Sequence, residues 1–329
     1  MKKFIKLLTA SAVLASVAFA ADYTIKLSHV VSASTPKGQA ADFFAKRVNE
    51  LTGGKVEVAV FPNAQLYNDD AVMKALKIGN AHIAIPSFSK FTSLVPEIQL
   101  FDLPFLFRDT KHLHAVLDSE VGQILKDKVT AKGFVALDYW DAGFKHFSSN
   151  KKPIINPEDA AGQKFRIMSS KVLEAQMKAV GGSVQVLPFS EVYSALQQGV
   201  VDAAENPLSN FVTKKFNEVQ TSLTISEHGY LGYLVIMSER FWKKFPDEYK
   251  GKVLQAMKEA TEFERKLAAE DDAKLLAQME EYAKSTGKLT IYKLTPEQKA
   301  AWAKAMEGVY PQFYETIGED LIKKAQAVK

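Results

Sequence analysis

Six residues carry the chemistry this sequence offers: Lys37, Lys90, Lys145, Arg166, Phe189 and Asn206. Four are cations, one is an aromatic and one is an amide. Arginine presents a planar fork that meets a carboxylate with two parallel hydrogen bonds. Lysines add point charges able to reach a second anionic group. A phenyl wall excludes water, and an asparagine donates to an oxygen without adding charge. The set suits a small anion bearing more than one carboxylate. Each residue also has a plainer role open to it. A strand arginine between helices serves equally well as a structural salt-bridge partner, with Asp202 or Glu205 at hand. Lys37 and Lys90 fit a solvated surface, Phe189 beside Pro188 fits a core, and Asn206 before Pro207 fits a turn. Convergence carries the ligand reading, not any single residue.

Catalytic patterns are weaker. Histidines stand at 29, 82, 112, 114, 146 and 228. His112 and His114 fall on a predicted helix, where a spacing of two points the rings apart, so a surface role fits them better than a metal. No zinc-protease, Walker, dinucleotide or nucleophile-elbow pattern occurs. Ser87-Phe88-Ser89-Lys90 matches the serine–lysine arrangement of penicillin-binding enzymes, without the companion motifs of that class. A secreted serine hydrolase using Ser87 and Lys90 is therefore the alternative reading. The absence of cysteine excludes disulfides, thiolate metal sites and a cysteine nucleophile. Nothing in the sequence asks for a cofactor.

The elements that must position these residues follow from length and pattern. A chain of 329 residues, 47% apolar and 24% charged, exceeds one ordinary core and predicts two lobes. Residues 1–20 read as a secretory signal: a basic start, an apolar run and Ala18-Phe19-Ala20 as the cleavage site, with cleavage after Ala20. Removing Lys2, Lys3 and Lys6 takes the net charge from +4 to +1 (4 − 3), and no basic stripe suits nucleic acid. No later stretch is long and apolar enough to cross a bilayer, so the mature chain is expected to be soluble.

Tyr23–Ser28, Val56–Phe61 and 82–86 read as strands, with helices 36–51 and 69–78 between them. Lys164–Met168, 183–187 and 200–204 repeat the pattern, with helices 170–180 and 191–198. Two β-α-β-α-β units imply two parallel sheets in α/β lobes. The apolar Leu100–Phe107 reads as buried packing, 109–126 as one helix, and Phe134–Trp140 and Gly229–Met237 as further strands. A helical pattern from Pro246 to about Lys284 is long enough to brace both lobes. Ligands of open α/β sheets collect outside the carboxyl ends of strands, where the six residues fall.

At this point residues 22 to about 320 resemble the extracytoplasmic solute-binding proteins of TRAP transporters, DctP type. The matching blocks include Thr35-Pro36-Lys37-Gly38, FPNAQLYND (61–69), SFSKF (87–91), FDLPFLFRD (101–109), GFK (143–145), GQKFRIMSSKVLEAQ (162–176), LPFSEVYSALQQGVVD (187–202), ENPLSN (205–210) and HGYLGYL (228–234). The resemblance implies a periplasmic-binding-protein-like α/β fold with a cleft between two lobes and a long helix bracing both. It implies that Arg166 binds a ligand carboxylate and that Lys145, Phe189 and Asn206 face the ligand. Lys37 and Lys90 join them from their placement. The expected function is periplasmic capture of a small organic acid, foremost a C4-dicarboxylate, by lobe closure and its delivery to separate membrane subunits. The expected protein is a monomer with no chemistry of its own. The expected lobes are 21–143 with 230–268, and 144–229 with 269–329.

Overall fold

Alternation of apolar and polar residues in TIKL and VEVAV puts one row of side chains inward, and both segments form strands. The computed structural model describes residues 21–329, so the signal reading of residues 1–20 lies outside it. Nine strands occur among the described residues. They are β1 (Tyr23–Ser28), β2 (Val56–Phe61), β3 (Ile83–Ala84), β4 (Phe134–Ser149), β5 (Lys164–Ile167), β6 (Ser183–Val186), β7 (Ala203–Asn206), β8 (Ser222–Ser238) and β9 (Thr290–Lys293). Their order is β2-β1-β3-β8-β4-β7-β5-β6, with β9 added beside β8.

β1 runs parallel to β2 and β3, and β5 runs parallel to β6 and β7. These are the two repeated units. Two long antiparallel strands join them. The start of β4 and the end of β8 extend the first unit, while His146–Ser149 and Ser222–Thr224 extend the second. β4 and β8 thus pass through both lobes. The sequence suggests shorter strands here, Phe134–Trp140 and Gly229–Met237. Gly143 takes a left-handed φ of 120° inside a strand that continues, with a register shift beside it. A larger shift follows. Lys145 pairs with Gly229, but the next pair is Phe147 with Thr224, so β8 bulges over 225–228.

Local signals set most helix ends. Thr35 caps Pro36–Leu51, and Asn68 caps Asp69–Ile78, which Gly79 ends in the left-handed region. Ser170 caps Lys171–Ala179. The helix read over 109–126 is two helices, Thr110–Asp118 and Glu120–Thr130, broken at Ser119. Packing explains the break: a Cβ on Gly122 would lie 1.8 Å from the Leu117 carbonyl oxygen, an approach only glycine permits.

The helix Asp247–Thr286 has 40 residues, about 60 Å at 1.5 Å each. Val253, Ala256, Met257 and Ala260 enter the larger core with Phe44 and Trp140. Leu275 and Met279 enter a second core with Leu196, Phe211 and Leu289. One helix therefore braces both lobes. Trp140 on β4 is fully buried, and its indole N–H donates to Thr261 of this helix at 2.9 Å. Trp140→Ala is expected to lose about 3–5 kcal/mol of stability, a buried-aromatic truncation, in urea unfolding. An unchanged midpoint would contradict this role.

Candidate ligand-binding site

Three residues in a row on short strands, Phe165-Arg166-Ile167, are buried. Arg166 is 2% exposed, on a strand where an apolar side chain costs less. Its Nε and Nη2 donate to the Leu187 carbonyl at 3.1 and 2.7 Å. Both carboxylates named above as possible partners are engaged elsewhere. Asp202 accepts from the Lys164 backbone and lies 3.6 Å from Lys151, and Glu205 holds Lys145 and His228. No carboxylate among the described residues forms an ion pair with Arg166. Burial pulls its pKa down to about 10, against the raising fields of Glu205, Asp69 and Asp70, and it stays charged at neutral pH.

Arg166 opens onto a pocket of about 470 Å³, mouth included, between the two repeated units. Lys90, Phe189 and Asn206 share its wall. Sequence reading ends the third strand of the second unit before Glu205, whereas β7 includes Glu205 and Asn206. Strand alternation then sends them to opposite faces. Asn206 is 3% exposed, and neither its amide nitrogen nor its oxygen finds a partner in the protein. A buried amide left so costs about 1–3 kcal/mol, which a ligand with an oxygen beside Arg166 would offset. Phe189 sits on the turn Phe189–Glu191 after β6, edge-on to Phe216.

Lys90 does more than face the pocket. Its ammonium donates to Asp70 at 2.6 Å and reaches Ser169 Oγ at 3.4 Å, and Thr92 donates to the Ser169 carbonyl at 3.0 Å. These bonds span from the first unit to the second across the cleft. A lysine held in an ion pair with Asp70 is no base for Ser87, so the serine–lysine hydrolase geometry is not formed.

The structure places the other two lysines behind the wall. Lys37 is buried. Its ammonium donates to the Ile85 carbonyl at 3.0 Å and lies 3.5 Å from the ring centre of Tyr233, which itself lines the pocket. Burial lowers its pKa to about 8. Lys145 is fully buried, and its Nζ donates to both Glu205 oxygens at 2.8 and 2.9 Å. Gly229 makes the room: a Cβ there would meet Lys145 Cε at 2.9 Å. The bulge of β8 brings in His228, 2.9 Å from Glu205 and stacked on Phe147. Burial keeps His228 below its usual pKa despite Glu205. The neutral ring then donates from Nε2 to Glu205 and accepts at Nδ1 from Ser226, 2.8 Å away. Burial alone would raise the Glu205 carboxyl, but Lys145 and then His228 hold it down to about 2.

Sequence reading missed Asp69, Asp70, Asn210 and Tyr233, all on the pocket wall. Asp69 and Asp70 read as ordinary first-turn acids of a helix. Asn210 lies in the quoted ENPLSN block, on the short helix Leu208–Thr213 that follows β7. Tyr233 is hidden in an apolar strand.

Fold and site together define a two-lobed binder of small anions. A family model described as bacterial extracellular solute-binding protein, family 7, matches residues 27–317, and the chain belongs to that family. The C4-dicarboxylate-binding periplasmic protein DctP of Rhodobacter capsulatus is 44% identical over 94% of this chain and 92% of its own. A TRAP periplasmic solute-binding protein from Sulfurospirillum deleyianum, solved with bound succinate, is 79% identical, covers 94% of this chain and all of its own, and superposes with a TM-score of 0.93. One from Polaromonas, bound to D-erythronate, is 30% identical over 93% of this chain and 99% of its own, with a TM-score of 0.88. The family is extracytoplasmic, binds small carboxylates and works with TRAP membrane subunits. No helix of the described residues is long and apolar enough to cross a membrane.

Two expectations follow from the buried groups. Lys145→Met strands the Glu205 carboxylate and should cost about 3–5 kcal/mol at neutral pH, with much of the loss recovered in the Lys145→Met, Glu205→Gln double variant. Equal stability of the single variant and the wild type would count against the pair. His29 and His146, held neutral by burial down to about pH 3, protonate only on unfolding as pH falls below 6.5. Their contribution to stability drops from pH 6.5 downward, and that of Glu205 drops from 4.5 toward 2. Thermal midpoints should decline from pH 7 to 4 against a smaller opposing gain from Asp102 and Asp272, whose carboxyls burial raises to about 6, and a rise over that range would refute the burial of these neutral rings.

Proposed function

We propose that this protein captures a C4-dicarboxylate of the succinate, malate and fumarate type. On this reading Arg166 clamps one carboxylate, Asn206 bonds the same end, Phe189 closes the apolar side, and Lys90 serves the other end. Lys145 and Lys37 act from behind the wall, through Glu205 and Tyr233. The lobes close on the ligand, and the closed form hands it to the membrane subunits. No step of this cycle makes or breaks a covalent bond in the ligand. The protein acts as a monomer in the periplasm, after cleavage following Ala20. Its lobes are 21–143 with 230–268 and 144–229 with 269–329, the last helix reaching back to the first through Lys324 and Glu120.

One observation carries the reading: a buried guanidinium on a pocket wall with no carboxylate among the described residues to pair it. The succinate bound by the Sulfurospirillum relative supports the choice of acid. The D-erythronate of the Polaromonas relative defines the competing class, a monocarboxylate with hydroxyls. Calorimetry against succinate, L-malate, fumarate and D-erythronate should give micromolar or tighter binding to a dicarboxylate, about −8 kcal/mol or better. Arg166→Ala should weaken it at least about a hundredfold, since a bidentate charged contact is worth more than two ordinary hydrogen bonds. Preference for D-erythronate, or full affinity in Arg166→Ala with the fold intact, would overturn the assignment.

A further inference from the structure

We propose that the pocket takes up one proton together with a dicarboxylate, and that Asp69 receives it. The inference rests on the dicarboxylate reading above. Its basis is the charge carried by the pocket wall. Arg166 and Lys90 supply two positive charges, and Asp69 and Asp70 supply two negative ones. Lys90 is already spoken for by Asp70 at 2.6 Å. A dianion entering this wall meets one unpaired cation, Arg166, and one acid without an ion-pair partner, Asp69. A ligand carboxylate brought beside Asp69 disfavours ionisation of both groups, and the less well-paired one takes a proton.

The surroundings of Asp69 single it out. From its own helix it faces Asp70, whose charge disfavours ionisation. Lys37 on the helix Pro36–Leu51 and Lys90 on the turn after β3 favour it, as does the Ser87 backbone N–H. Arg166 on β5 and Tyr233 on β8 face it across the pocket. Asp69 is half-buried as a residue, but desolvation of its carboxyl in the pocket wall outweighs the favourable neighbours and already raises it before any ligand charge is counted. Glu205 cannot take the proton, because Lys145 and His228 hold it. Once protonated, Asp69 becomes a hydrogen-bond donor toward the ligand instead of a repelling charge.

Titration calorimetry of the purified protein with succinate at about pH 6.5, in buffers of different ionisation enthalpy, counts the protons. The expected count is on the order of one per ligand in the wild type and near zero in Asp69→Asn, which should bind succinate at least as tightly. The wild type gives a second reading that needs no variant. Between about pH 6 and 7, below the range where Lys37 titrates and above that of succinate itself, its Kd for succinate should rise by up to about tenfold per pH unit, while that for any monocarboxylate it binds stays nearly flat. Binding with no proton exchange, an unchanged count in Asp69→Asn, or a Kd independent of pH overturns the proposal and leaves the dicarboxylate reading standing. Failure of every dicarboxylate to bind overturns both.

Discussion

The structure depends on one fully buried ion pair. Lys145 and Glu205 sit, with both side chains out of reach of solvent, where the two longest strands cross from one lobe to the other. Burying either ion alone costs several kcal/mol, so each makes the other tolerable, and only near-ideal geometry offsets the double desolvation. The surroundings supply that geometry. β8 bulges to bring His228 onto the second carboxylate oxygen, and Gly229 omits a side chain so that the Lys145 stem can pass. The pair also fixes the backbone of β7, and with it the direction of Asn206, the very next residue. Binding chemistry and lobe junction are thus built on adjacent atoms of one strand.

Of the four cations at or behind the pocket wall, Lys145 and Lys90 pair with a protein carboxylate, and Lys37 and Arg166 do not. Lys145 has Glu205, Lys90 has Asp70, and Lys37 has the Ile85 carbonyl and the Tyr233 ring. Arg166 has only the Leu187 carbonyl, which orients the guanidinium without neutralising it. The neighbouring amide of Asn206 is likewise unsatisfied. On the proposed function, specificity for an acid rests on what the wall withholds from Arg166 as much as on what it provides.

Much of this was legible in the sequence, for reasons that differ by residue. The helices Pro36–Leu51 and Asp69–Ile78 announce both ends locally, through Thr35, Asn68 and Gly79, and the structure keeps those ends. The continuity of β4 and β8 was not legible, since Gly143 and the bulge at 225–228 imitate strand ends and only tertiary pairing carries the chain through. The break at Ser119 depends on a contact between Gly122 and Leu117 that no periodicity reveals. In the site, Arg166, Asn206, Phe189 and Lys90 were reachable because strand ends and matching blocks place them. Lys145 and Lys37 were credited with facing the ligand because charge type says nothing about partners: Glu205 and Ile85 lie 60 and 48 residues away in sequence. Asp69 was passed over because an acid in the first turn of a helix already has an ordinary explanation.

The position of β8 has a consequence for how the chain comes to be folded. In the first lobe β8 stands between β3 and β4, yet it is made after the whole second parallel unit. Until residue 238 exists, β3 has no neighbour on that side and β4 has no partner for its first ten residues. The first 140 residues therefore cannot complete a core, however long they wait. Contacts of such separation form late and slowly. Synthesis must pass residue 238, nearly three-quarters of the chain, before the sheet of the first lobe can be completed, and residue 286 before the long helix can join the two cores.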